Sequence, residues 1–324
     1  MSGLRLAFAG SPTAAVPSLR ALVGSRHEVV SVVTREDSPQ GRKRVLSPTA
    51  VGAVAQALGL PTIKTNRLSA DVVGADVFGA DVLGADVAGA ISSIQPDLGV
   101  IVAYGGLVRE PLLSTPRLGW INLHFSLLPR WRGAAPVQRA IMAGDAVTGA
   151  SVFQLVGELD AGDVYGQFTQ SIGSQETAGE LLDSLAEGGA ELLLRVVDAI
   201  ADGTARADPQ RGDVTLAPKL GLEDGRIDFT GHASTVTNRI RGATPEPGAF
   251  MMLDGARLKV LEATIARDAP SIPAGRLAFV DGRVLAGTAA DPVELITVHP
   301  AGKKPMRAAD WWRGRSEGAS VICE

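Results

Sequence analysis

What the chain lacks removes several classes of function at the outset. Cys323 is its only cysteine and stands next to the C-terminus, so an internal disulfide and a cysteine-rich metal site are both excluded. The four histidines form no cluster along the sequence, and no metal is expected. There is no run of eighteen apolar residues to span a bilayer, and the first apolar stretch, Leu4 to Ala9, is too short for a secretory signal. The expectation is a cytoplasmic protein. An excess of positive charge is missing too: the formal net charge is −4, which argues against indiscriminate coating of nucleic acid. After Gly203 there are 16 Lys and Arg against 15 Asp and Glu, which leaves 15 against 20 before it, so the later part is near +1 and the earlier near −5.

The 324 residues suggest about two domains, and a hydrophobic content of 45% is ample for a sizeable core. In the first part, Leu4 to Gly10 reads as a buried strand closed by a turn, Pro17 to Val23 as the helix after it, and Glu28 to Thr34 as a second strand. The runs Leu98 to Tyr104 and Trp120 to Phe125 are nearly all apolar, as strands covered on both faces are. This alternation indicates an α/β domain with an open, mostly parallel, Rossmann-like sheet, and chemistry at the carboxyl ends of its strands. A nicotinamide oxidoreductase shares that architecture. However, Gly10-Ser11-Pro12-Thr13 lacks the second and third glycines of a dinucleotide loop, and no GxxxxGK[ST] sequence occurs.

Thr204 to Pro218 has no clear period and reads as a linker, which divides the chain into residues 1–203, 204–218 and 219–324. Beyond it lie short apolar runs at Gly248 to Leu253, Leu258 to Ala263, Gly275 to Val280, Arg283 to Ala286 and Val293 to Val298. Asp254-Gly255 and Asp281-Gly282 read as hairpin turns, and Ala233 to Arg241 as one helix. A small, OB-like β-barrel is expected there. One segment is of low complexity: from Asp71 to Ala90 a five-residue unit repeats four times. Four copies are too few for a solenoid, so this is read as an extension of the surface helix or loop before the strand at Leu98.

The chemistry concentrates between Asn122 and Asp163. Asn122 and His124, two residues apart, fall on one face of a strand at its carboxyl end, and Asp160 lies in a glycine-bearing turn that can return to it. Singly, each has a plainer explanation, as a cap, a hydrogen-bonded core histidine and a turn residue. Together with their surroundings they carry a resemblance. Asn122-Leu123-His124-Phe125-Ser126-Leu127-Leu128-Pro129 and Leu159-Asp160-Ala161-Gly162 are similar to the Asn-x-His-x-Ser-Leu-Leu-Pro strand and Leu-Asp-x-Gly loop of the formyltransferases that use 10-formyltetrahydrofolate. Arg130 to Arg139, Glu223 to Phe229 and Pro300 to Met306 resemble the branch of that family that acts on methionyl initiator tRNA.

The resemblance implies that Asn122, His124 and Asp160 are catalytic and that Ser126, Leu127, Leu128 and Pro129 contribute to folate binding. It also implies that the barrel helps to hold tRNA. Arg42, Lys43 and Arg44 are the candidates for gripping the acceptor end, and Lys303 and Lys304 for backbone contact. In formyl transfer, negative charge develops on the formyl oxygen, for which the Asn122 amide and a His124 N–H are the available donors. His124 could instead, or also, pass a proton to the departing folate nitrogen, with Asp160 orienting the ring, favouring its charged form and helping to remove the proton of the attacking ammonium. The sequence departs from the family at Thr13-Ala14, where Asp-Phe is common, in the Asp71 to Ala90 repeat, and at Gly41-Arg42-Lys43-Arg44, where a second glycine is usual. A monomer is expected. Two other readings compete: a formyltransferase acting on a sugar nucleotide or other small amine, which needs the three residues but no such barrel, and a non-enzymatic RNA-binding protein, which needs only the barrel.

Overall fold

A computed structural model describes residues 3–40, 44–66, 75–77, 80–82, 87–315 and 322–323. Its contacts divide the chain into two compact units: residues 1–134, 149–170 and 182–216, and residues 135–148, 171–181 and 217–324.

The first unit is built on a seven-stranded sheet. Its strands are β1 (Arg5–Gly10), β2 (Glu28–Thr34), β3 (Thr62–Lys64), β4 (Leu98–Val102), β5 (Trp120–His124), β6 (Val147–Gln154) and β7 (Val164–Ser171), in the order β7-β6-β5-β4-β1-β2-β3. From β3 to β5 every pairing is parallel, and β6 runs antiparallel to β5. The helices α1 (Val16–Val23), α2 (Ala50–Ala57) and α3 (Val87–Ile94) fill the connections. All five residues of β4 are buried, which is why its sequence shows no polar alternation. Strand order reverses between β1 and β4, so the crevice for a ligand opens at the carboxyl ends of these strands.

Two close approaches fix the strands around the site. Gly99 of β4 pairs in register with Trp120 of β5, and a Cβ at position 99 would run into the indole, which is wholly buried and donates its Nε1–H to the Leu112 carbonyl at 2.8 Å. Gly162, in the loop between β6 and β7, lies so near the Gln154 carbonyl that no side chain fits.

The second unit holds α4 (Pro136–Ala143), α6 (Ala233–Ala243) and an antiparallel sheet; α5 (Ala178–Ala201) precedes α6 in the chain. The sheet's strands are β8 (Phe250–Leu253), β9 (Ala256–Ile265), β10 (Leu277–Val280), β11 (Arg283–Ala286) and β12 (Val293–Pro300), ordered β8-β9-β12-β11-β10. The short β13 (Met306–Arg307) pairs with β12, and α7 (Ala308–Arg313) follows it. Both Asp-Gly turns are as expected. Asp254 and Gly255 have φ of 51° and 70°, Asp281 and Gly282 50° and 83°, the two left-handed residues that a type I′ hairpin requires. The core joins Val236 and Ile240 of α6 to Val260, Val284 and Val298. The described pairings form an antiparallel sheet of the kind a small barrel uses, without by themselves closing it into a ring.

The pentapeptide repeat falls partly outside the described residues. Within it, Ala75–Val77 and Ala80–Val82 form a two-stranded antiparallel pair, and its last copy enters α3.

Candidate active site

The site lies where β5 ends. The backbone of β5 sets Asn122 and His124 two residues apart, while the loop after β6 brings Asp160 to them. His124 Nδ1 stands 3.8 Å from Asp160 Oδ2, and both side chains are about nine-tenths buried. The other ring nitrogen, Nε2, is 2.9 Å from the Trp131 carbonyl. A carbonyl can only accept, so Nε2 carries the proton in the neutral ring and Nδ1 turns a lone pair toward the carboxylate. Burial pushes the His124 imidazole below the usual histidine range, against the opposing pull of Asp160 and of the Trp131 carbonyl. A neutral ring with its N–H already engaged is a proton acceptor at Nδ1. The Nε2–H, one of the donors considered from sequence, points in this structure to the Trp131 main-chain carbonyl.

Asp160 is held in an unusual backbone conformation, with φ of 46°. Its Oδ2 also accepts the Gly133 N–H at 2.8 Å, which pins the carboxylate. Asn122 is half-buried, and its amide makes no hydrogen bond among the described residues. Phe153, opposite Asn122 on β6, meets the His124 ring edge-on with centroids 6.4 Å apart.

A cleft of about 390 Å³ opens beside Asn122 and Asp160. Its walls are Ile101 at the end of β4, the following stretch Gly106 to Glu110 with Leu113, and Leu155 to Leu159. Sequence reasoning missed this lining, because apolar loop residues such as Leu107 and Val156 carry no motif. Only their place directly after a buried strand at the sheet's carboxyl edge could have indicated them. Arg35 at the end of β2 braces the start of the cleft, donating through Nε to the Tyr104 carbonyl at 3.1 Å.

The segment Ser126 to Pro129 is tightly built into the protein. The Ser126 hydroxyl, fully buried, donates to the Arg130 carbonyl at 2.6 Å, the Leu128 N–H to Ser151 Oγ at 3.1 Å, and Gln167 Nε2 to the Leu128 carbonyl at 3.1 Å. Leu128 and Pro129 are buried and Leu127 is half-buried; none of the four lines the cleft. Arg42 and Lys43 lie outside the described residues. Arg44 is exposed with φ of 49° and immediately precedes Val45, in the connection of a hairpin pairing Ser38–Gln40 with Val45–Ser47. Lys303 and Lys304 are exposed beyond β12. Among the described residues no three His, Cys, Asp or Glu side chains gather to hold a metal ion, and no helix is long and apolar enough to cross a membrane.

Comparison with known proteins places this geometry among relatives. Two family models match: Formyl transferase over residues 4–197, and Formyl transferase, C-terminal domain, over residues 219–316. The chain is 58% identical over 311 residues to a methionyl-tRNA formyltransferase of Clavibacter sepedonicus, covering 96% of this chain and 97% of the relative. It is 55% identical over 319 residues to one of Leifsonia xyli subsp. xyli, covering 98% and 100%. Among solved structures, HypX from Aquifex aeolicus in complex with tetrahydrofolic acid shares the fold with a TM-score of 0.62 at 18% identity, over 96% of this chain. The chain spans about half the length of that protein, 47% of it.

Proposed function

The chain belongs to the formyl transferase family, and we propose that it transfers the formyl group of 10-formyltetrahydrofolate to the α-amino group of methionyl initiator tRNA, for translation initiation. One observation carries the reading: relatives bearing that activity in their names are 58% and 55% identical along nearly the whole chain, through the catalytic and the C-terminal regions alike. The enzyme is a one-carbon group transferase.

When bound, 10-formyltetrahydrofolate supplies a formyl carbon activated for attack by an amine. The cleft suits such a ligand, with Leu107, Val108, Leu155 and Val156 for a flat ring and Arg109 and Glu158 for polar groups. The unengaged Asn122 amide donates to the formyl oxygen as charge develops there, a role whose loss typically costs about 3 kcal/mol. His124 Nδ1, backed by Asp160, takes the proton that the amine sheds as its nitrogen bonds to the formyl carbon. The same proton is returned to the folate nitrogen as its bond to that carbon breaks, so the cycle is balanced. Ser126 to Pro129 serve the folate site by fixing the end of β5.

Residues 1–203 carry this chemistry, and residues 219–324 help to hold the RNA. Arg42, Lys43 and Arg44 contact the acceptor arm, and Lys303 and Lys304 its backbone. We take the enzyme to be a cytoplasmic monomer. The test supplies purified protein and 10-formyltetrahydrofolate with either charged initiator tRNA or amino-sugar nucleotides. Formylmethionine released from the tRNA supports the reading; transfer to the small amines with none to tRNA overturns it.

A further inference from the structure

We propose that Gln210 is a positioning residue for the Asp160–His124 pair, and that the segment 208–216, which lies between the two family-matched regions, is a working part of the active site. The inference rests on the formyl-transfer reading for its kinetic test but on geometry for its content.

Asp208 starts the segment by pairing antiparallel with Val164, the first residue of β7, through hydrogen bonds of 2.8 and 3.0 Å. Two residues on, the Gln210 amide bridges the site. Its Nε2 donates to the Asp160 carbonyl at 2.7 Å and to the Gly162 carbonyl at 2.9 Å, which uses both of its hydrogens. Its Oε1 accepts from Arg132 Nε at 3.1 Å and Nη2 at 2.7 Å. The guanidinium fixes which way the amide faces, because a flipped amide would set N–H against N–H on one side and oxygen against two carbonyls on the other. The Arg132 side chain is only 11% exposed, so water does not readily replace it.

The segment's other end reaches the opposite side of the histidine. The Thr215 carbonyl accepts the Arg132 N–H at 2.9 Å, and Thr215 Oγ1 accepts the Trp131 N–H at 2.8 Å. Trp131 is the residue whose carbonyl takes the His124 Nε2–H. Both residues that hold the imidazole have left-handed backbones, with φ of 46° at Asp160 and 61° at Trp131. Such conformations cost side-chain-bearing residues energy and persist only where neighbours enforce them. Here one short segment hydrogen-bonds to both. Its composition gives no hint of this, since a Gln and a Thr in a Pro- and Gly-containing stretch read as linker.

The test compares Gln210→Leu and Gln210→Glu with the unmodified enzyme. The second variant keeps a partner for Arg132 but turns carboxylate oxygens toward two carbonyls. Expected are a kcat lower by about 10- to 100-fold, the scale of a reacting group displaced by about 1 Å, and KM values for folate and methionyl-tRNA within about twofold. Combined with Asp160→Asn, either change should lower kcat little further, because both act through one carboxylate. Independently of activity, NMR titration of the His124 ring should show its pKa falling in both variants, as in Asp160→Asn, since the carboxylate that favours the charged ring is displaced. Unchanged kcat and an unmoved His124 titration in a folded variant overturn the proposal, as does full multiplication of the two effects. An inactive unmodified enzyme would overturn the formyl-transfer reading instead, leaving the titration to decide on Gln210.

Discussion

Replacing Asp160 by Asn removes one negative charge and little else. The new side chain is nearly isosteric and keeps an oxygen to accept the Gly133 N–H, now made by Oδ2 at 2.8 Å. The charge it removes stands 3.8 Å from His124 Nδ1. At an effective dielectric near 20, two unit charges at that distance attract by about 4 kcal/mol, an upper value because the neighbouring cleft admits water. Loss of even two-thirds of it removes about 3 kcal/mol of support for the protonated ring. The sign follows from the two influences on the imidazole. Burial already holds its pKa down and Asp160 alone among side chains raises it, so the Asn variant titrates lower still. If His124 must take a proton from the amine, the same loss weakens it as a base, and single-turnover formyl transfer should slow by about 10²- to 10³-fold at neutral pH. The acidic limb of the rate profile should move to lower pH with it. Melting temperature should stay within a few degrees, since no packing is altered. A rate within about threefold of the unmodified enzyme, or an acidic limb that stays in place, would refute the assignment of the pair.

Gly162→Ala should destabilise the first unit by about 1–3 kcal/mol in urea titrations and lower kcat as well, because the added methyl meets the Gln154 carbonyl and must displace the loop that carries Asp160. Arg42→Ala should weaken methionyl-tRNA binding, spare folate affinity, and reduce the slope of log affinity against log salt by about one; identical slopes would mean that the basic loop is solvated surface.

Much of the fold was legible because single residues decide it. Glu28 to Thr34 and Arg283 to Ala286 form strands over the spans their apolar runs suggest, and Asp254-Gly255 and Asp281-Gly282 turn where only left-handed residues can. The edges of the longer strands shifted: β9 runs from Ala256 to Ile265, because Ala256 and Arg257 pair with β8, and Thr264 and Ile265 with β12, beyond the apolar stretch. The site was legible only in part. Asn122 and His124 share a strand, so a period of two is enough to bring them together. Gln210, by contrast, meets Asp160 across fifty residues, and Leu107 reaches the cleft by way of a loop. Contacts of that kind depend on how the sheet folds back, and no local pattern encodes them. Nor does the sequence say that α4, which lies between β5 and β6 in the chain, packs with α6, where Gly242 lets the helices approach against Met142.

The two hairpin turns of the second unit also set how the protein ages. In each, an exposed aspartate precedes a glycine, so the following amide nitrogen has no side chain to shield it from the neighbouring carboxyl group. Cyclisation there and reopening on the wrong side convert the residue to its β-linked isomer, which lengthens the main chain by one carbon without changing its mass. A two-residue turn has no slack to absorb an extra backbone atom, so the damage would spread inward from the tip, parting Leu253 from Ala256 and Val280 from Arg283. Peptide maps of stored protein should therefore show isoaspartate at positions 254 and 281 rising together with the loss of structure in the C-terminal sheet. The geometry that makes these turns easy to form thus also makes them the sheet's points of chemical wear.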